Sequence, residues 1–356
     1  MRAILLPRTT NNFDFLRLCA ALMVVVGHSF WLSGNVALEP VKAFTGFWDI
    51  ADIAVHVFFV MSGFLIAGSW ASTRNLLSFA GKRALRIFPA LIVAVLITTF
   101  VIGLLATRLP AAEYLRDEGT WDYLSNIFLL TEFRLPGVFA DNAFPSTVNG
   151  SLWTLPFEVF MYLSLIGLGL IPLRGATIKV PVLLAALSFF AVHVVTVETT
   201  ELAGMASLAR LGTFFYAGAA LYFFYDRLRW HWLVAVVLIV SQLALAQSQA
   251  WPVVHALTLP YLVIYVAHLR IPVIADVGKA GDFSYGLYIF SFPLQQLMVQ
   301  WWGQDLSLGE FIVASLMTSA IFAALSWYLV EKPAMRLKRY LPTSQAVGCP
   351  DSLGAT

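Results

Sequence analysis

Charge is scarce in this chain. Only 12% of its 356 residues are Asp, Glu, Lys or Arg, and the net charge is +2. A soluble domain carries about 25% charged residues, and no strongly basic or acidic field points to a nucleic acid partner. Cysteine is nearly absent. Cys19 and Cys349 stand far apart in sequence and give no disulfide framework. There is no Gly-rich phosphate loop, no CxxC, no HExxH and no G-x-S-x-G turn. The six histidines lack metal-ligand spacing, so no metal is expected. No internal repeat is visible.

What the chain has in excess is apolar residues, at 60%. They fall into ten segments near the length a bilayer core requires: 13–32, 50–70, 88–106, 153–171, 180–197, 207–225, 232–248, 251–268, 283–301 and 309–330. The expected fold is therefore an all-α integral membrane protein of about ten transmembrane helices. Residues 1–340 read as a single membrane domain and 341–356 as a polar, disordered tail. The N-terminus imitates a signal peptide, but Asp14 and Arg17 interrupt the pattern, so it reads as a retained first helix. With both termini cytoplasmic, 17 of the 22 cations lie inside, as the positive-inside rule demands. A multi-pass membrane protein is expected. The longest connection, 107–152, falls outside and carries six acids.

Ionisable residues within such segments are costly, and each is a functional hypothesis. Arg17 and His28 are eleven residues apart in the first segment. That is close to three helical turns, so they share a face about 16 Å apart. Arg17 falls near the inner surface. His28, His56 and Glu158 fall at depths of about 6, 9 and 8 Å from the outer one. The expectation is one shared level of imidazole and carboxylate, the pairing used for general-base chemistry. Arg17 could equally pair with Asp14 at i,i+3, and His56 with Asp52 at i−4. His193, His255 and His268 look structural. The inner side gathers Lys82, Arg83 and Arg86, read as a run ahead of a helix beginning near Pro89, with Ser284, Tyr285 and Tyr288. Such cations and hydroxyls suit phosphates. Ser62-Gly63 reads as a small pair for close helix packing. From residues alone, two readings stand: a membrane transferase, or a proton-coupled transporter of a glycan or small acid.

Six segments, in order, resemble the membrane acyltransferase-3 family of bacterial O-acyltransferases. They are Phe13-Asp14-Phe15-Leu16-Arg17 with its spacing to His28, Phe58 to Leu65, Lys82 to Pro89, Ser151 to Leu155 with Glu158, Ser284 to Tyr288, and Trp327 to Pro333. The resemblance runs from about residue 11 to 338. It implies transfer of an acyl group, usually acetyl from acetyl-CoA, to a hydroxyl of an extracytoplasmic or lipid-linked glycan. It implies catalytic roles for Arg17 and His28, with Glu158 in support. It makes Lys82, Arg83, Arg86, Tyr285 and Tyr288 candidates for binding the donor. His56, Ser151 and Trp153 are then candidates for the acceptor, and Asp14, Ser62, Gly63 and Glu331 for structure. Assembly as a homodimer is left open. Two positions depart from the family pattern: Ser291 stands where a histidine is frequent, and His56 where an acid is frequent.

Overall fold

The structure is a computed structural model, and it describes residues 11–73, 75–170, 178–196, 203–269, 271, 281–303 and 305–342. Most of the tail expected at 341–356, including Cys349, lies outside these residues. Among the described residues, ten helices occupy the ten apolar segments, the shortest of them α7 with 13 residues: α1 Phe13–Leu32, α2 Ile50–Thr73, α3 Leu76–Ala106, α4 Gly150–Leu170, α5 Lys179–Thr196, α6 Ala203–Phe224, α7 Trp232–Ala244, α8 Trp251–His268, α9 Ser284–Trp302 and α10 Leu308–Tyr340. Seven of them are long and apolar enough to cross a membrane. There is no β-sheet among the described residues. Helices satisfy their own backbone groups, which lipid cannot do. The chain is an all-α, multi-pass membrane protein.

Several boundaries differ from the sequence reading, among them the end of α7 at Ala244 rather than 248, and two of the differences bear on the site. α3 begins at Leu76, where the Asn75 side chain caps it, and Pro89 lies inside the helix rather than at its start. Lys82, Arg83 and Arg86 therefore belong to the helix, and Lys82 and Arg86 share a face at i,i+4. A proline ring within a membrane helix is tolerated where neighbours reoccupy the freed carbonyl. At the other end of the chain, α10 continues past residue 330 through a π-helical turn at Trp327–Glu331. That turn delivers Glu331, 2% exposed, to the interior.

α2 is the central helix. It packs most extensively against α6 and also contacts α1 and α8. The α2–α6 approach depends on missing side chains. A Cβ on Gly63 would fall 1.8 Å from the Phe215 carbonyl oxygen, and one on Gly218 would fall 2.1 Å from that of Val60. Small residues let two membrane backbones come this close. α1 is tied to α9 by the Gln295 amide, which donates to the Val25 carbonyl and to Ser29 Oγ, each at 2.9 Å.

The 107–152 connection is ordered by short helices at Ala111–Tyr114, Glu118–Asp122 and Tyr123–Phe128. Its last part is bound to α9 by amides. Asn142 donates to Gln296, Gln296 donates to the Phe144 and Thr147 carbonyls, and Asn149 donates to the Ile289 carbonyl. A second connection, 33–49, is pinned by Glu39. Its buried carboxylate accepts from the backbone of Val41, Lys42 and Ile50.

Gly63→Ala is expected to cost more than about 2 kcal/mol, the scale of overpacking a fitted site. Thermal unfolding in detergent checks this. Gly167→Ala, where a Cβ meets nothing within 4 Å, is the control and should leave the midpoint unchanged or slightly raised.

Candidate active site

Two cavities run into the bundle, and α1 contributes to both. One contains Arg17, with Ser62, Arg86, Glu158 and Tyr285. It holds about 100 Å³. The other contains His28, with Trp31, Asp49, Asp52 and Trp153, and holds about 420 Å³. Val55 and Tyr288 line both.

The Arg17 cavity is built on an ion network. Arg86 Nη2 lies 2.6 Å from Asp282 Oδ2, and its Nη1 lies 3.3 Å from Glu331 Oε2. Arg17 Nη1 is 3.7 Å from the same Asp282 oxygen and 3.0 Å from Asp14 Oδ1. Four elements thus converge: α1, α3, α10 and the segment just before α9. Burial works against the Asp282 charge. The Arg86 and Arg17 guanidiniums outweigh it, together with two bonds from Ser284, and hold the carboxyl below the usual carboxylate range. Lys82 and Arg83 differ from Arg86, since neither forms an ion pair among the described residues. Arg83 Nε is buried without a partner, and its guanidinium lies 5.9 Å from the Phe79 ring centroid. Glu158 accepts from Ser62 Oγ at 3.3 Å and from the Tyr162 hydroxyl. Tyr285 donates to the Ile87 carbonyl at 3.0 Å.

The His28 cavity is aromatic and acidic. The His28 ring meets Phe292 edge-on at 5.0 Å, and its Nδ1 is buried without a partner. Trp31 Nε1 donates to Asp49 Oδ2 at 2.5 Å, while Asp49 Oδ1 accepts from the Asp52 backbone at 2.8 Å. Asp52 is paired with Arg210 at 3.4 Å. That guanidinium lies over Trp48 and Trp153, at 5.6 and 5.9 Å.

Several sequence expectations are redistributed. Arg17 and His28 line different cavities. Glu158 shares the cavity of Arg17 and not that of His28; the carboxylates beside His28 are Asp49 and Asp52. His56 is fully buried and lines neither cavity. It does not pair with Asp52. Its Nδ1 lies 3.2 Å from His255 Nε2, and His255 Nδ1 lies 3.0 Å from Gln242 Oε1. With that amide oxygen as acceptor, each histidine donates from Nδ1. His193 and His255 therefore have company that the sequence did not suggest: both rings pack on Trp48. His268 is bonded to its own helix through the Ile264 carbonyl. Ser151 is buried outside both cavities, Trp153 lines the His28 cavity, and Tyr288 bonds Thr154 Oγ1 at 2.6 Å. Asp14 pairs with Arg17, Gly63 serves close packing, and Glu331 anchors Arg86. Asp282 and Asp49 were missed. A charge two residues before the Ser284-Tyr285 motif was the available signal for the first, and Asp49 had none. Among the described residues, no group of three or more His, Cys, Asp or Glu is placed to hold a metal.

Fold and cavities define a multi-pass membrane protein with an ion network and an imidazole site in its interior. The chain belongs to the acyltransferase family whose model, described as an acyltransferase domain, matches residues 10–330, and it is an acyltransferase. It is 30% identical over 334 residues to a Shigella phage Sf6 protein named O-acetyl transferase, covering 91% of this chain and 95% of that one. It is also 30% identical over 374 residues to nodulation protein 10 of Rhizobium leguminosarum bv. viciae, covering 93% and 95%. No solved structure gives a significant match.

Asp282→Asn is expected to destabilise the protein by about 3 kcal/mol, because it leaves a largely buried guanidinium short of a partner. The sign with pH follows from the depressed carboxyl. Its stabilisation is complete above the unfolded value of about 4 and is lost as pH falls through the folded value. Thermal midpoints taken from neutral to acid pH should therefore fall less steeply in the Asn variant than in the wild type.

Proposed function

We propose that the protein is a membrane O-acetyltransferase that takes an acetyl group from acetyl-CoA on the cytoplasmic side. The acceptor is a hydroxyl of an extracytoplasmic or lipid-linked glycan, and the membrane is the bacterial inner membrane. The observation that carries this reading is the placement of Arg17 and His28. They lie three turns apart on one helix and line two cavities that meet at Val55 and Tyr288. The name of the Shigella phage Sf6 relative supports acetyl as the group, and the family supports the reaction class.

In this reading the donor enters by the Arg17 cavity. Lys82 and Arg83 line neither cavity but stand on the helix that carries Arg86 into this one, without carboxylate partners among the described residues, and they attract the donor's phosphates. Arg86 and Arg17 are already held by Asp282, so they shape the wall and fix α1 and α3 around it. The acceptor enters the His28 cavity, where Trp31 and Trp153 offer apolar ring faces and Asp52 a partly buried carboxylate paired with Arg210. His28 takes the proton of the acceptor hydroxyl as the oxygen attacks the thioester carbonyl. The carbon–sulfur bond breaks, and the departing thiolate recovers that proton from the imidazolium. Asp49 and Asp52, in the same cavity, favour the imidazolium while it exists. Glu158 holds Ser62 and Tyr162 on the donor side. The whole region 1–340 acts as one membrane unit, with ten crossings and both termini cytoplasmic.

His28→Ala should lose about 10²–10⁴ of the transfer rate, the usual weight of a general base. Labelled acetyl-CoA supplied to membranes containing the acceptor is the assay. Retained transfer by properly inserted His28→Ala protein would overturn the assignment. Uptake of a glycan or acid into vesicles, with no acetyl transfer by the wild type, would favour transport instead. The orientation has its own check. In a background lacking Cys19 and Cys349, a cysteine at exposed Glu113 should react with an impermeant maleimide on whole cells, and one at Arg336 should not.

A further inference from the structure

The two cavities have only two lining residues in common, Val55 of α2 and Tyr288 of α9. Both are almost fully buried, at 7% and 8% exposure. An acyl group arriving from the Arg17 side reaches the imidazole of His28 past these two side chains. We propose that Val55 and Tyr288 form a neck between the cavities that sets the length of the acyl group the protein transfers. This rests on the acyl-transfer reading above and adds the residues that decide the donor's chain length.

The neck is held rather than loose. The Tyr288 hydroxyl is bonded to Thr154 Oγ1 of α4 at 2.6 Å, and its ring meets Phe58 of α2 edge-on at 5.9 Å. Val55 sits on the helix that Gly63 and Gly218 press against α6. Its β-branched side chain has little rotameric freedom on a helix. Neither wall can retreat without moving a packed helix. The cavity on the donor side is also the smaller, about 100 Å³ against about 420 Å³. An acetyl group presents one methyl to such a neck. Each further methylene in a fitted apolar site changes discrimination by about 10- to 200-fold. Acetyl is therefore passed and butyryl rejected, and the discrimination belongs to the donor group rather than to the acceptor.

The test compares acetyl-CoA with butyryl-CoA as donors, with kcat/KM measured for each on the full chain in membranes. Val55→Ala removes two methyl carbons from one wall. It should raise the butyryl-to-acetyl ratio by about tenfold or more. Thr154→Val cuts the bond that fixes the Tyr288 ring and should raise the same ratio by a smaller factor. A role confined to stability would lower both donors together and leave the ratio unmoved. Wild-type ratios in both Val55→Ala and Thr154→Val, with acetyl transfer retained, would overturn the neck. Should one variant be lost to misfolding, the ratio in the other decides. A wild type that transfers no acetyl from acetyl-CoA would instead overturn the acyl-transfer reading, and the neck with it.

Discussion

A guanidinium within a membrane protein persists only where its charge is met. Arg86 is met twice, by Asp282 and by Glu331. Taking ions out of water costs several kcal/mol each, so the partners must be in place for the fold to form. The consequence is architectural. Arg86 comes from α3, Glu331 from the π-turn of α10, Asp282 from the approach to α9, and Arg17 joins from α1. One charge cluster fixes four parts of the chain, at positions 17, 86, 282 and 331. The shape of the cavity beside it follows from that closure.

The helices were legible because lipid enforces a simple pattern. A segment near 20 apolar residues reads as a helix whatever its neighbours do, and all ten segments are helical. The site was legible only in part. Rise per residue places a side chain at a level but says nothing of the direction in which it leaves the helix. His28, His56 and Glu158 were assigned one level and therefore one site. In the structure they leave in different directions: His28 toward Asp49 and Trp31, Glu158 toward Ser62, His56 toward His255. Asp52 illustrates the same gap. Its local i+4 partner was His56, yet it pairs with Arg210 of α6, a contact that no window of sequence contains.

The start of α3 shows a different limit. Pro89 reads as a helix beginning because proline is well tolerated there. In a packed bundle the same residue sits inside a continuous helix, and the basic motif rides on its first turns. The motif was recognised, but its cations were taken as equivalent. Packing divides them: Arg86 is committed to carboxylates, while Lys82 and Arg83 have none among the described residues. Residues of one type and one motif acquire separate duties from what the fold brings to them.

The amide clamps along α9 have a mechanical meaning. Asn142, Gln296 and Asn149 fasten the end of the 107–152 connection to that helix at three places, and Gln295 fastens α1 to it from another side. Tyr288 stands on the same helix, one position before Ile289, whose carbonyl Asn149 grips. The loop that lines the His28 cavity and the ring that bounds both cavities are thus held to one helix. One helix therefore sets the position of the loop and of the tyrosine together, so neither half of the interior takes its shape independently of the other.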